Sequence, residues 1–144
     1  MDMTITFSGG KKVDASFRGF TVKTDQPAQA GGDGSAPEPF MMFLASIGTC
    51  AGIYVLGFCQ ARGIPTDGIK LVQHNEWNPE THKLAKVGIE IQVPADFPEK
   101  YRTAVQRAAD QCAVKRTIAD PPEFEVRTQV VGQRDAVGGA VWTA

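Results

Sequence analysis

Polar and apolar positions alternate from the start of the chain. Thr4-Ile5-Thr6-Phe7 reads as a strand, and Gly9-Gly10-Lys11-Lys12 as a turn. Val13, Ala15 and Phe17 then alternate with Asp14, Ser16 and Arg18; after Gly19, Phe20, Val22 and Thr24 continue the pattern. An antiparallel meander of two or three strands is expected, with Arg18 on the polar side of the second or third. Gln26 to Ser35 holds Pro27, Gly31, Gly32 and Gly34 and reads as a flexible connection. No Gly-Lys-Ser/Thr follows its glycines, so it lacks a phosphate-binding signature.

From Phe40 to Ala61 there is no charged residue. Ser35 is the expected helix cap, and Pro37 and Pro39 suit a helix start. The length would suit a membrane span. Gly48, Gly52 and Gly57 dilute that reading, and the flanks lack aromatic and basic anchors. A buried central helix of a soluble protein is favoured. Gly48 and Gly52 share a face, which predicts close approach of a second helix.

Ile69 to Trp77 and Leu84 to Val93 alternate as two strands, with Asn78-Pro79-Glu80-Thr81 as the turn between them. A hairpin closed there sets His82 opposite Trp77 and His74 opposite Ala85, which separates the two histidines and disfavours a metal site. Phe97 to Cys112 has helical spacing, with Tyr101, Ala104, Val105, Ala108, Ala109 and Cys112 as its apolar positions. Glu99 and Asp110 read as solvated helix charges. Pro121-Pro122 breaks the chain, and Phe124, Val126, Thr128 and Val130 predict a last strand. Gly132 to Ala144 is expected to be an edge strand or disordered. This order describes one α+β domain over residues 1–144, with antiparallel sheets around two central helices.

The 144 residues suffice to bury roughly 68–70% of the unfolded surface. A net charge of −1, with scattered lysines and arginines, offers no field for nucleic acid or an anionic membrane. Met1 to Phe20 contains no apolar run of the secretory type, and three cysteines do not make a secreted disulfide framework. The cytoplasm is the expected compartment, and no cofactor or metal is expected. Cys50 and Cys59 lie nine positions apart on one helix, about 13 Å along its axis and on opposite faces, too far to bridge. A partner for Cys50 within its own chain is then Cys112. The residues alone leave both a reactive and an inert reading of these thiols open.

Two segments carry a resemblance. Pro39-Phe40-Met41-Met42-Phe43-Leu44-Ala45-Ser46-Ile47-Gly48-Thr49-Cys50 resembles the helix of OsmC/Ohr proteins that holds their peroxidatic cysteine. Ala108-Ala109-Asp110-Gln111-Cys112-Ala113-Val114 resembles their second cysteine motif. The likeness extends over most of Thr4 to Val130. It implies an intertwined homodimer with active sites at the subunit interface, acting on organic hydroperoxides. Cys50 would attack the peroxide, Cys112 would form a disulfide with it, and a dithiol would reduce that disulfide. A free thiol with a pKa near 8.5 must be lowered to about 6, which takes roughly 3 kcal/mol of differential stabilisation. Family members use an arginine of the N-terminal strands for this, a role that falls to Arg18. The family's peroxidases carry a glutamate directly after the helix-opening proline. Phe40 stands there in this chain, and Glu38 lies one residue before the proline. Phe40, Met41 and Phe43, with Glu38, are the expected substrate pocket. The alternative is a non-peroxidatic OsmC-like protein that binds an apolar ligand, with Met42 joining that lining, or that senses redox state.

Overall fold

The computed structural model describes residues 1–130. Strands β1 (Thr4–Gly9), β2 (Lys12–Phe17) and β3 (Phe20–Val22) form an antiparallel meander in that order. Thr4 lies opposite Ser16, and Phe17 opposite Phe20. The first turn uses Gly9 and Gly10 at φ 101° and 58°, a conformation that glycine adopts without a Cβ clash. The second turn uses Arg18 at φ 47° with Gly19 at φ 81°. Arg18 is therefore an exposed turn residue rather than a strand residue. Gly19 follows it, so the strand alternation stops at Phe17.

Asp25 shapes the loop that follows. Its side chain has no exposed surface. The carboxylate accepts hydrogen bonds from the Ser35 N–H (2.9 Å), the Ser35 hydroxyl (2.7 Å), the Gln26 N–H (2.8 Å) and the Asp33 N–H (3.3 Å). The Ser35 N–H and hydroxyl do most to hold its pKa down to about 2. Asp33 also pairs with Lys12. The glycine-rich segment is thus pinned, not slack as expected, and Ser35 serves Asp25 instead of capping a helix. A Cβ on Gly32 would lie 1.9 Å from the Gln26 carbonyl oxygen and 2.9 Å from Asp25 Oδ1. Gly32→Ala is expected to cost about 1–3 kcal/mol in urea unfolding, because backbone must move to admit the methyl. An unchanged midpoint would contradict this close packing.

Helix α1 (Pro39–Gln60) begins at Glu38, its N-cap residue, with Pro39 in the first turn where a missing N–H costs nothing. Leu44, Ile47, Ala51, Val55 and Cys59 form its buried stripe. By length and composition α1 could span a membrane. In the chain, its stripe packs on two later helices and on β4. The opposite side exposes Met42 and Ile53. Gly48 does not receive a helix. It receives the side chain of Gln73, whose Nε2 donates to the Leu44 carbonyl at 3.0 Å and to Asn75 Oδ1 at 2.9 Å. Nothing within 4 Å would meet a Cβ on Gly52.

Strands β4 (Lys70–Trp77) and β5 (Leu84–Gln92) form the expected hairpin, from Lys70 opposite Gln92 to Trp77 opposite Leu84. The register differs from expectation. His74 faces Gly88, a bulge falls at Glu76–Trp77, and His82 sits in the turn at φ 54°. The loop is longer than four residues because Asn78 Oδ1 accepts the N–H groups of Glu80 and Thr81, while the Asn78 N–H closes on the Lys83 carbonyl.

The expected helix from Phe97 to Cys112 is divided. A 3-10 turn at Glu99–Tyr101 leads into α2 (Arg102–Asp110), and a new helix, α3 (Ala113–Ala119), starts after Cys112. Cys112 is extended, at φ −50° and ψ 119°. It is drawn inward with Ala51, Val55, Cys59, Ile64, Phe97, Val105 and Ala109 into the core cluster. Burying the cysteine is what breaks the helix, since a continuous α2 would carry the chain past the core. The expected strand through Phe124, Val126, Thr128 and Val130 does not form among the described residues; Phe124, Val126 and Val130 are exposed. Alternation prepares such a segment for a sheet, but a strand also needs a neighbouring edge, and none in residues 1–130 pairs with it. The remaining tail, Gly132 to Ala144, lies outside the described residues.

Candidate active site

Cys50 lies in the middle of α1, half-buried beside the core cluster. The elbow between α2 and α3 comes up against it. The backbone N–H groups of Val114 and Ala113 and the Cys112 thiol are near enough to the Cys50 sulfur to favour its anion. Val114 contributes most, then Cys112; burial opposes them, and the Ala113 N–H and the positive charge of Arg116 assist. Together they hold the Cys50 thiol below its ordinary pKa, because each donor favours the anion. The first N–H groups of a helix have no partner inside it, which leaves those of α3 free for the sulfur.

Cys112 has no exposed surface. Its sulfur lies 3.8 Å from the Ile47 carbonyl oxygen, so its proton can be shared between that oxygen and Cys50. Lys115 Nζ pairs with Asp110 Oδ1 at 2.8 Å and clasps the elbow on which Cys112 sits. Cys59, on the far side of α1, is also fully buried, and burial pushes its thiol up. The structure thus brings Cys50 and Cys112 together and leaves Cys59 in a role of packing.

The other expected site residues are more dispersed. Arg18 is in the β2–β3 turn, and Glu38 holds the N-cap position of α1 without a side-chain capping bond; among the described residues neither forms an ion pair. Arg116 is the cation that acts on Cys50 within the chain. Phe40 stacks on Phe43 at 5.5 Å and on Trp77 at 5.6 Å between ring centres. Phe43 lines an apolar groove of about 550 Å³ with Ala113, Val114, Ile118 and Phe124, directly beside the elbow. Met41 faces a different groove, of about 460 Å³, with Gly48 and Gln73. No group of three or more metal-ligating side chains occurs among the described residues.

The sequence reading missed the backbone donors of Ala113 and Val114. Its one signal was the Lys115-Arg116 pair after Cys112, which marks positive charge near a thiol without saying which thiol benefits.

Comparison with known proteins shows the family and the fold. The family model for OsmC-like protein matches residues 32–127, which include both cysteines of the site. Two solved structures share the fold. One is a protein of Psychrobacter arcticus 273-4, provisionally assigned as an osmotic stress induced and detoxification response protein. It has a TM-score of 0.68 and 18% identity over 80% of this chain and 85% of that one. Another is an organic hydroperoxide resistance protein OsmC from Legionella pneumophila, with a TM-score of 0.52 and 17% identity over 82% and 89% of the two chains. A search of curated proteins gives no significant match. With the family model spanning 96 of 144 residues (127 − 32 + 1), the chain belongs to the OsmC-like family.

Proposed function

We propose that the protein is a thiol-dependent peroxidase that reduces organic hydroperoxides. The packing of Cys50 against the buried cluster that holds Cys112, with the Cys112 sulfur 3.8 Å from the Ile47 carbonyl oxygen one turn before Cys50, is the observation that carries this reading. The Cys50 thiolate attacks the terminal oxygen of ROOH. The O–O bond breaks, ROH leaves with a proton, and Cys50 becomes a sulfenic acid. The Cys112 thiol condenses with it, releasing water and forming the Cys50–Cys112 disulfide. An external dithiol then takes up the disulfide's oxidising equivalents and returns both cysteines to thiols. The groove bordered by Phe43, Val114 and Ile118 favours an apolar R group.

A homodimer acting in the cytoplasm completes the proposal. Among the described residues, Ile5, Phe7 and Phe20 of the N-terminal sheet, Met42 and Ile53 on the outer side of α1, and Phe124 and Val126 are exposed apolar side chains. Such faces suit a second copy of the chain. Arg18 and Glu38 are then candidates to complete the site across the subunit boundary.

The aromatic packing of Phe40 favours one further reading, a redox sensor or binder of apolar ligands in which Phe40, Phe43 and Trp77 face the ligand. Intact mass after one equivalent of cumene hydroperoxide separates the two. The peroxidase loses two hydrogens, with Cys50 linked to Cys112 in the peptide map, and consumes the oxidant repeatedly when a dithiol is supplied. An unchanged mass with a retained ligand in native mass spectrometry would favour the binder.

A further inference from the structure

The two sulfurs of the pair differ sharply in access. Cys112 is sealed by its own chain, with Ala51, Val55, Val105 and Ala109 in the same cluster and no exposed surface. Cys50 is half-buried and borders the elbow beside the apolar groove. A second subunit can only add cover, so it leaves Cys112 closed. Any hydroperoxide that is reduced must reach the sulfur of Cys50.

We infer that the reducing thiol attacks the disulfide at Cys50, through the opening that admits the hydroperoxide, and expels Cys112 as the leaving thiolate. This rests on the two-thiol reading above. Attack by R′S⁻ forms an R′S–SCys50 bond and breaks the Cys50–Cys112 bond. The electron pair goes to the Cys112 sulfur, which takes a proton. A second thiol of the reductant then attacks the R′S sulfur, closes the reductant's own disulfide and releases Cys50 as a thiolate.

Electronic preference points the other way. The thiol of lower pKa leaves faster, which favours expulsion of Cys50, whose thiol is held below its ordinary pKa. Reaching Cys112 instead requires a local opening of the core, populated at on the order of one part in a thousand or less. Access therefore outweighs leaving-group strength.

The test uses wild-type protein oxidised in one sample by cumene hydroperoxide and in another by diamide. A short pulse of 2-mercaptoethanol is followed by acid quench, alkylation and peptide mapping. The adduct is expected on Cys50, at least about tenfold over Cys112, in both samples. A second measurement compares single-site variants of the reduced protein. In Cys50→Ser, labelling of Cys112 by DTNB under native conditions is expected to be at least about 100-fold slower than labelling of Cys50 in Cys112→Ser. An adduct mainly on Cys112, or equal labelling rates, would overturn the inference. If diamide links the pair and cumene hydroperoxide does not, the peroxidase reading fails while the point of thiol attack is still decided. If neither links it, both fail.

Discussion

Cys50→Ser is expected to abolish hydroperoxide consumption, a loss of at least about 1000-fold in kcat/KM, measured as dithiol-dependent removal of cumene hydroperoxide. Serine keeps the volume of the site but remains a neutral hydroxyl at neutral pH. It cannot supply the anion that the N–H groups of Val114 and Ala113 stabilise. Cys112→Ser has a different signature. The first oxygen transfer survives, so one equivalent of hydroperoxide is consumed in a burst. The product then lacks its internal thiol and persists as a sulfenic acid that dimedone captures on Cys50. Cys59→Ala serves as the control. Its sulfur is buried away from the pair, so turnover is expected to match wild type even where stability falls. If Cys50→Ser retains turnover, the peroxidase proposal is wrong.

The second large effect concerns pH. With the thiol pKa lowered, the reactive anion persists to lower pH than a free cysteine's would. Activity should therefore rise with pH through a midpoint below the ordinary thiol range and then level off. Ala113→Pro removes one donor cleanly. Position 113 opens α3, where proline is accepted, and Cys112 before it is already extended, as a residue preceding proline prefers. Proline at 114 would remove the stronger donor but strain Ala113. The midpoint in Ala113→Pro is expected to move upward while the rate at high pH is largely kept. The same donors affect stability with a definite sign. A group whose folded pKa is depressed contributes stability above its unfolded pKa, and that contribution is lost as pH falls through the folded value. Wild type should accordingly lose more stability than Ala113→Pro on descending through that window, measured by denaturant midpoints. A kinetic midpoint unmoved by the substitution would remove the elbow from the account of Cys50.

Much of the site was legible because α1 has an unusual pattern. An uncharged run of 22 residues from Phe40 to Ala61, opened by Pro39, has few readings, and it placed Cys50 in a central helix. The N-terminal meander and the β4–β5 hairpin followed from alternation and turn residues. The α2–α3 elbow was hidden. From Ala104 to Val114 the alanines and valines keep helical spacing, and neither glycine nor proline marks the break. The break arises from tertiary burial of Cys112, which local propensity does not encode. Asp25 was equally hidden, since a carboxylate among prolines and glycines reads as solvated until Ser35 and Asp33 fold back onto it. The strand pattern beyond Pro122 is present in the sequence, but its expression depends on an edge that residues 1–130 leave unpaired.

The sealed position of Cys112 also decides how the molecule wears out. A flood of oxidant meets only the outermost of the three sulfurs, so overoxidation to sulfinic or sulfonic acid strikes Cys50 first. The interior sulfurs are spared as long as the core stays shut. A peroxidase of the proposed kind, retired in this way, would keep its fold while losing its chemistry, and a single modified side chain would record the exposure.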